Sequence, residues 1–235
     1  MSALLIAASV ATQVLKYAAG YPHLFGLSAK FYVGEEGNIP TYYSTLLLLL
    51  AALLLLLIAY HKRRQGARFA VHWLVLGVIF LFLALDEATS LHDLVSGWMR
   101  GIVDARGILY YPWVLPGSGF VLLVALSFSR FLLHLPTRTR WFVAVTGVLY
   151  VGGALITELV EGWYVEQNGA DNLIYTMITT TEETLEMAGL ILFIHVLLRY
   201  ISLNVGVIRL RIGDSQPASE GGAEEDKRKA PRTTW

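Results

Sequence analysis

The sequence predicts an all-α fold: a polytopic transmembrane helical bundle of six spans, or five if the first apolar segment lies along the interface. Three observations predict it. Segments of about 20 mostly apolar residues, the length a helix needs to cross the hydrocarbon core, recur along the chain. Lysine and arginine gather beside alternate ends of those segments. Acidic residues, which lipid penalises, recur at one depth in three of them. Composition agrees, since 55% hydrophobic residues with zero net charge and a mean hydropathy of +0.56 lie outside the range of ordinary soluble domains.

The expected spans are residues 2–19, 41–60, 69–92, 117–135, 141–163 and 175–203. Segment 2–19 is short, carries Lys16 near its end and lacks the basic leader of a secretory signal, so it either spans or lies flat as an amphipathic helix. Segment 41–60 contains "LLLLLAALLLLLIA", apolar all round, and reads as a lipid-facing or central packing helix without chemistry. Segment 69–92 ends in "FLFLALDEATSLHD", which continues a membrane helix directly into Asp86, Glu87, His92 and Asp93. Segment 117–135 follows "WVLPGSGF", with Pro116 and glycines at a helix start. Segment 141–163 supplies Gly147, Gly152, Gly153 and Ala154, small residues that let helices approach closely. Residues 1–211 therefore form one membrane domain, and the Gly/Pro/Ser-rich, mixed-charge tail 212–235 reads as a disordered cytoplasmic extension.

Orientation follows from the basic residues. The loop "HKRRQGAR" (61–68) holds four of them, "LPTRTR" (135–140) holds two, and the last span runs into Arg199, Arg209 and Arg211. These ends are expected in the cytoplasm of a cell that carries the chain as a multi-pass membrane protein. Loops 20–40, 93–116 and 164–174 then face outward, with Tyr42, Tyr43, Trp98, Tyr110, Tyr111, Trp113, Trp163 and Tyr164 as an aromatic belt.

Depth along a helix, at 1.5 Å per residue, groups the acids. Asp86 lies ~24 Å from Ala70, Glu158 ~25 Å from Trp141, and Glu182 and Glu183 ~24–25 Å from Arg199. Glu186 sits a turn deeper, while Glu161, His92 and Asp93 sit near the outer interface. Asp86, Ser90 and Asp93 follow an i, i+4, i+7 stripe; Glu158 and Glu161 are i, i+3; Glu182 and Glu186 are i, i+4.

A charge near mid-membrane costs ~2.5–3.5 kcal/mol on insertion scales, and these spans offer no lysine or arginine at that depth. Compensation must come from a bound cation, from protonation or from a water-filled vestibule. Plainer accounts cover part of the pattern: Asp93 and Glu161 suit a solvated helix boundary, and Glu182 and Glu183 favour the dipole of a helix start. Neither explains Asp86 or Glu186.

With no cysteine in the chain, disulfides, thiolate metal sites and thiol nucleophiles are excluded. A metal must use oxygen or imidazole. The expected ligands are Asp86, Glu158, Glu182 and Glu186, with Glu87, Ser90, His92, Glu183 and Glu161 as additional ligands or their hydrogen-bonding partners. Carboxylates favour calcium, magnesium or manganese, and His92 brings iron or zinc into range, so a divalent metal ion is expected without its identity being fixed. No Glu-x-x-His or His-x-x-x-His motif occurs. Glu35, Glu36 and Asn38 in "GEEGNIPTYY" either lid this site or form a solvated turn. His61, His72, His134 and His195 cluster near the cytoplasmic boundary; a haem or second metal would need His72 and His195 to face each other.

The leading functional reading is a carboxylate-rich metal site opening to the extracytoplasmic side, with a metal-dependent enzyme at the outer leaflet as the chemistry it could support; no catalytic residue is assigned. The alternatives are a proton- or cation-coupled transporter and an accessory subunit of a larger membrane complex. Expected partners are the lipid bilayer, a lipid or small-molecule ligand and partner subunits, but no nucleic acid.

The segments "EEGNIPTYYSTLLLLLAALLL", "FLALDEATSLHD" and "EETLEMAGLILFIHVLLRYI" resemble a group of uncharacterised bacterial polytopic membrane proteins marked by Asp-Glu…Leu-His-Asp and Glu-Glu…Leu-Glu-Met segments. The resemblance covers roughly residues 30–203 and implies a membrane bundle without implying an activity.

Overall fold

A computed structural model describes residues 1–21 and 26–205. The tail 212–235, Arg209 and Arg211 lie outside the described residues. The regular structure of the described residues is all helical, without strands: α1 (Ser2–Tyr17), α2 (Leu27–Phe31), α3 (Ile39–Arg64), α4 (Ala70–Thr89), α5 (Leu91–Met99), α6 (Val114–His134), α7 (Thr137–Val151), α8 (Glu158–Asn168) and α9 (Leu173–Asn204). A π-helical turn, Gly152–Thr157, joins α7 to α8, so that 137–168 runs as one bulged helix. Five helices, α3, α4, α6, α7–α8 and α9, are long and apolar enough to cross a membrane.

α3 begins where Asn38 accepts a hydrogen bond from Thr41 N–H (3.2 Å) and Pro40 occupies the first turn. Its leucine run turns out to be core on one stripe: Leu48, Ala51, Ala52, Leu55 and Ile58 are buried while Leu46, Leu50 and Leu53 are exposed. α4 packs on this stripe, and Gly77 makes the approach possible, because a Cβ there would lie 2.8 Å from Leu56 Cδ2. α9 is the central helix, with α1, α3, α7, α8 and the π turn packed around it. Gly189 lets α9 meet α7, since a Cβ would fall 2.9 Å from the Tyr150 nitrogen.

The ends sort into two groups. Phe69, His72, Trp73, Phe128, Phe131, His134 and Tyr200 meet at the basic end, where Trp73 lies 4.9 Å from Tyr200 and 5.0 Å from Phe131 between ring centroids. His195 is exposed on α9 while His72 sits among phenyl rings, so the two histidines do not form a facing pair. At the other end, the start of α3 lies beside the end of α4, and the start of α9 beside the end of α8.

α1 departs from the six-span expectation. Its 16 residues reach ~24 Å, short of a ~30 Å core. Both its ends also touch the acid-bearing end of the bundle: Ser2 Oγ donates to Tyr43 Oη near the start of α3 (2.8 Å), and Lys16 Nζ reaches Asp171 just before α9 (3.0 Å). Leu5, Ser9 and Gln13 are buried against the bundle, whereas Ala3, Leu4, Ala7, Ala11, Val14 and Leu15 are exposed. Ser9 Oγ accepts from Val33 N–H and Gln13 Nε2 donates to Ser28 Oγ, both at 3.1 Å. A helix with its polar stripe inward and its apolar face outward suits lipid contact along that face.

Candidate functional site

The continuous helix expected over 69–92 is broken. Ser90 has φ 54°, ψ 45°, the left-handed conformation, and is the one non-glycine with positive φ among the described residues. The break ends the Asp86–Ser90–Asp93 stripe and folds α5 back across the end of α4. Asp86 then serves both helices. Its Oδ1 accepts from the backbone N–H of His92 in the first turn of α5 (2.8 Å), and its Oδ2 lies 3.3 Å from His92 Nδ1.

The other ring nitrogen faces a new partner. His92 Nε2 lies 3.7 Å from Glu36 Oε1, and Ser90 Oγ donates to the other Glu36 oxygen. One donor atom from each of Glu36, His92 and Asp93 lies within 4.8 Å of the others, the one such group of three or more among the described residues. Glu36 and Asp93 are exposed and His92 is partly so, which leaves the group open to solvent. Trp113 flanks the imidazole with ring centroids 5.4 Å apart. Burial disfavours the His92 imidazolium, yet the hydrogen bond and charge of Asp86, with Asp93 and Glu158 beyond it, outweigh burial and raise the ring to about 9.

Behind this mouth the remaining acids gather around α9 in two groups. On the α8 side Glu158 neighbours Glu161, Trp113, His92 and Glu182, while Glu161 neighbours Glu182, Thr179 and Tyr175. On the α4 side Glu183 feels the charge of Glu87, and Glu186 those of Glu183 and Glu87. These groups form one acid layer around α9, with Glu186 a helical turn below Glu182, although no three of Asp86, Glu158, Glu182 and Glu186 bring donor atoms within 4.8 Å of one another. Gly153 in the π turn shapes the layer, because a Cβ there would lie 3.0 Å from Glu186 Cγ and 3.2 Å from the Glu182 carbonyl. The freed carbonyl of Gly153 accepts the Thr157 hydroxyl.

No lysine or arginine neutralises these acids among the described residues. Lys16 pairs with Asp171, Arg106 with Asp104, and Arg100 lies over the Tyr110 ring. Glu161 is only 4% exposed and its Oε1 has no hydrogen-bond partner among the described residues; Tyr32 Oη and Trp113 Nε1 are buried and equally unpartnered. Tyr111 shares its hydroxyl with Tyr175 (3.0 Å), and burial, with the charges of Glu161 and Glu158, pushes it up to about 12 against that hydrogen bond. Beneath the acids, Leu48, Ala84 and Leu190 form an apolar floor, followed by Phe80 stacked on Phe193.

Glu36 is the residue that spacing arguments undervalued: it belongs to a loop whose reach no helical period describes. Its only sequence signal is the acidic pair Glu35–Glu36 just before a capped helix. No curated protein and no solved structure matches the chain. A family model does match, over residues 1–201, and the chain belongs to that family, described as Domain of unknown function (DUF8692).

Proposed function

We propose that this protein is a membrane-embedded divalent-cation-binding protein whose ligands are Glu36, His92 and Asp93, placed at the extracytoplasmic face by the basic residues at the opposite end. The observation that carries the reading is the convergence of these three donors with Asp86 set behind the imidazole. A carboxylate on Nδ1 fixes the tautomer that leaves the Nε2 lone pair toward Glu36, the arrangement commonly found behind metal-ligating histidines. Two carboxylates and one imidazole suit manganese, iron or zinc better than calcium. Glu158, Glu161, Glu182, Glu183, Glu186 and Glu87 then act as a reserve of carboxyls that exchange protons with the mouth. When bound, the ion would polarise an oxygen of water or of a phosphate-bearing head group. A through-membrane route receives less support, because the layer from Leu190 to Tyr200 is filled by apolar and aromatic side chains.

The test is elemental analysis of protein purified without chelator and incubated with manganese or zinc. Near-stoichiometric metal is expected, lost in Glu36→Gln/Asp93→Asn and kept in Glu182→Gln/Glu186→Gln. Metal lost only in the second pair would move the ligands to Asp86, Glu158, Glu182 and Glu186. A metal-free wild type would overturn both assignments.

A further inference from the structure

A second concavity lies away from the His92 mouth, between α1, α2 and the start of α9. It encloses about 570 Å³ and is lined by Gln13, Lys16, Tyr17, Tyr32, Glu35 and Tyr175, among others. That volume suits a small organic ligand. Its charges decide which kind. Lys16 is already engaged, by Asp171 at 3.0 Å and by Tyr17 Oη at 2.7 Å. The pair cancels, leaving Glu35 as the uncompensated charge of the lining. Tyr32 and Tyr175 line the same cavity, and the quadrupole of a tyrosine face attracts cations, as the Tyr17 ring already does with Lys16 Nζ 4.4 Å from its centroid. Two of these rings also touch the acid layer: Tyr175 neighbours Glu161, and Tyr32, with its unpartnered hydroxyl, lies within reach of the Glu161 charge.

We infer that this cavity is a binding site for an organic ammonium group, recognised by the rings of Tyr32 and Tyr175 and by the carboxylate of Glu35. The source of that ammonium is either a free amine or the head group of an aminophospholipid, whose acyl chains would run along the exposed apolar face of α1 (Ala7, Val14, Leu15). An inorganic divalent ion is not the expected occupant, because the phenols and Gln13 supply rings and amides where such an ion needs several carboxylates. The inference is independent of the metal site, since none of its residues belongs to the Glu36–His92–Asp93 group.

The experiment is calorimetric titration of ethylammonium into full-length protein in phosphatidylglycerol nanodiscs, with two variants of opposite expected sign. Glu35→Gln removes the uncompensated charge and should weaken binding about tenfold, while Lys16→Gln frees Asp171 and should tighten it by several-fold. Both positions are at least partly exposed, so loss of folding does not confound the comparison; thermal melting of each variant checks this. Repeating the titration with phosphatidylethanolamine in the disc separates the sources: competition assigns the head group, and unchanged affinity assigns a free amine. Absence of saturable binding in wild type, or effects of reversed sign in the two variants, would overturn the inference. Asp104→Asn, at an exposed position outside both sites, serves as the control that leaves ammonium affinity unchanged.

Discussion

Asp86 holds His92 by two atoms at once, its Oδ1 on the backbone N–H at 2.8 Å and its Oδ2 beside Nδ1 at 3.3 Å. The same carboxylate thus caps a helix and orients an imidazole. Asp86→Asn keeps an acceptor for the backbone but weakens the partner on the ring. Metal affinity in this variant is expected to fall ~10–100-fold, the usual effect of losing such a partner. Competition against a fluorescent chelator measures it; an unchanged affinity would remove Asp86 from the site.

The raised His92 value makes the metal-free protein pH-sensitive. A group whose folded value, about 9, exceeds its unfolded value of ~6.5 contributes stability that is full below ~6.5 and is lost as pH rises through 9. Melting of chelated protein should therefore decline across that window, by no more than ~3 kcal/mol. In Asp86→Asn the decline should flatten. An equal decline in both would assign it to another group.

Ser90 adopts a conformation that costs a side chain ~1–2 kcal/mol. Ser90→Gly removes that cost and gives up the hydrogen bond to exposed Glu36, so it should retain or raise the melting temperature. Ser90→Val, branched at Cβ, should lower it. Thermal melts of the two, side by side, should differ in that order.

Glycines on the bulged helix and on α9 are not equivalent. A Cβ at Gly189 would meet backbone of Tyr150 and Thr146, and one at Gly153 would meet Glu186 and Glu182, whereas one at Gly147 meets nothing within 4 Å. Gly189→Ala is expected to destabilise by ~1–3 kcal/mol. Gly147→Ala should be neutral or stabilising, by ~1 kcal/mol at most. Unfolding in detergent with increasing denaturant ranks the three.

The position of α1 is open to direct labelling, because the chain has no native cysteine. Cysteines placed at Ser2 and at Ala19 are expected to react with an impermeant maleimide from the same side of sealed vesicles. Labelling from opposite sides would restore a sixth span.

Much of this was legible in the sequence, for physical reasons that differ by residue. The common depth expected for Asp86, Glu158, Glu182 and Glu183, with Glu186 a turn deeper, rests on nothing more than a constant rise per residue counted from the basic ends. Gly153, one of the small residues expected to let helices approach, sits where the π turn meets α9. Ser90 carried no such mark: a left-handed residue is signalled by glycine or asparagine, and a serine in an apolar helix reads as continuation. The helix expected to run on through Ser90 to residue 92 instead breaks there, and Asp93 leaves its stripe to join Glu36. α1 was ambiguous by length, yet Ser9 and Gln13 one turn apart held the answer, since a polar stripe inside an apolar helix needs protein to face.

The apolar floor also has an electrical meaning. From Glu186 to Tyr200, ~21 Å along α9, the bundle interior is filled by Leu190, Phe193, Ile194 and Leu197 packed on Trp73 and Phe131. A membrane voltage falls across the insulating part of its path, while the mouth at Glu36 and Asp93 is open to solution. An ion bound there would traverse little of the field. Occupancy of the site should respond to the composition of the medium it faces and remain nearly indifferent to the potential across the bilayer.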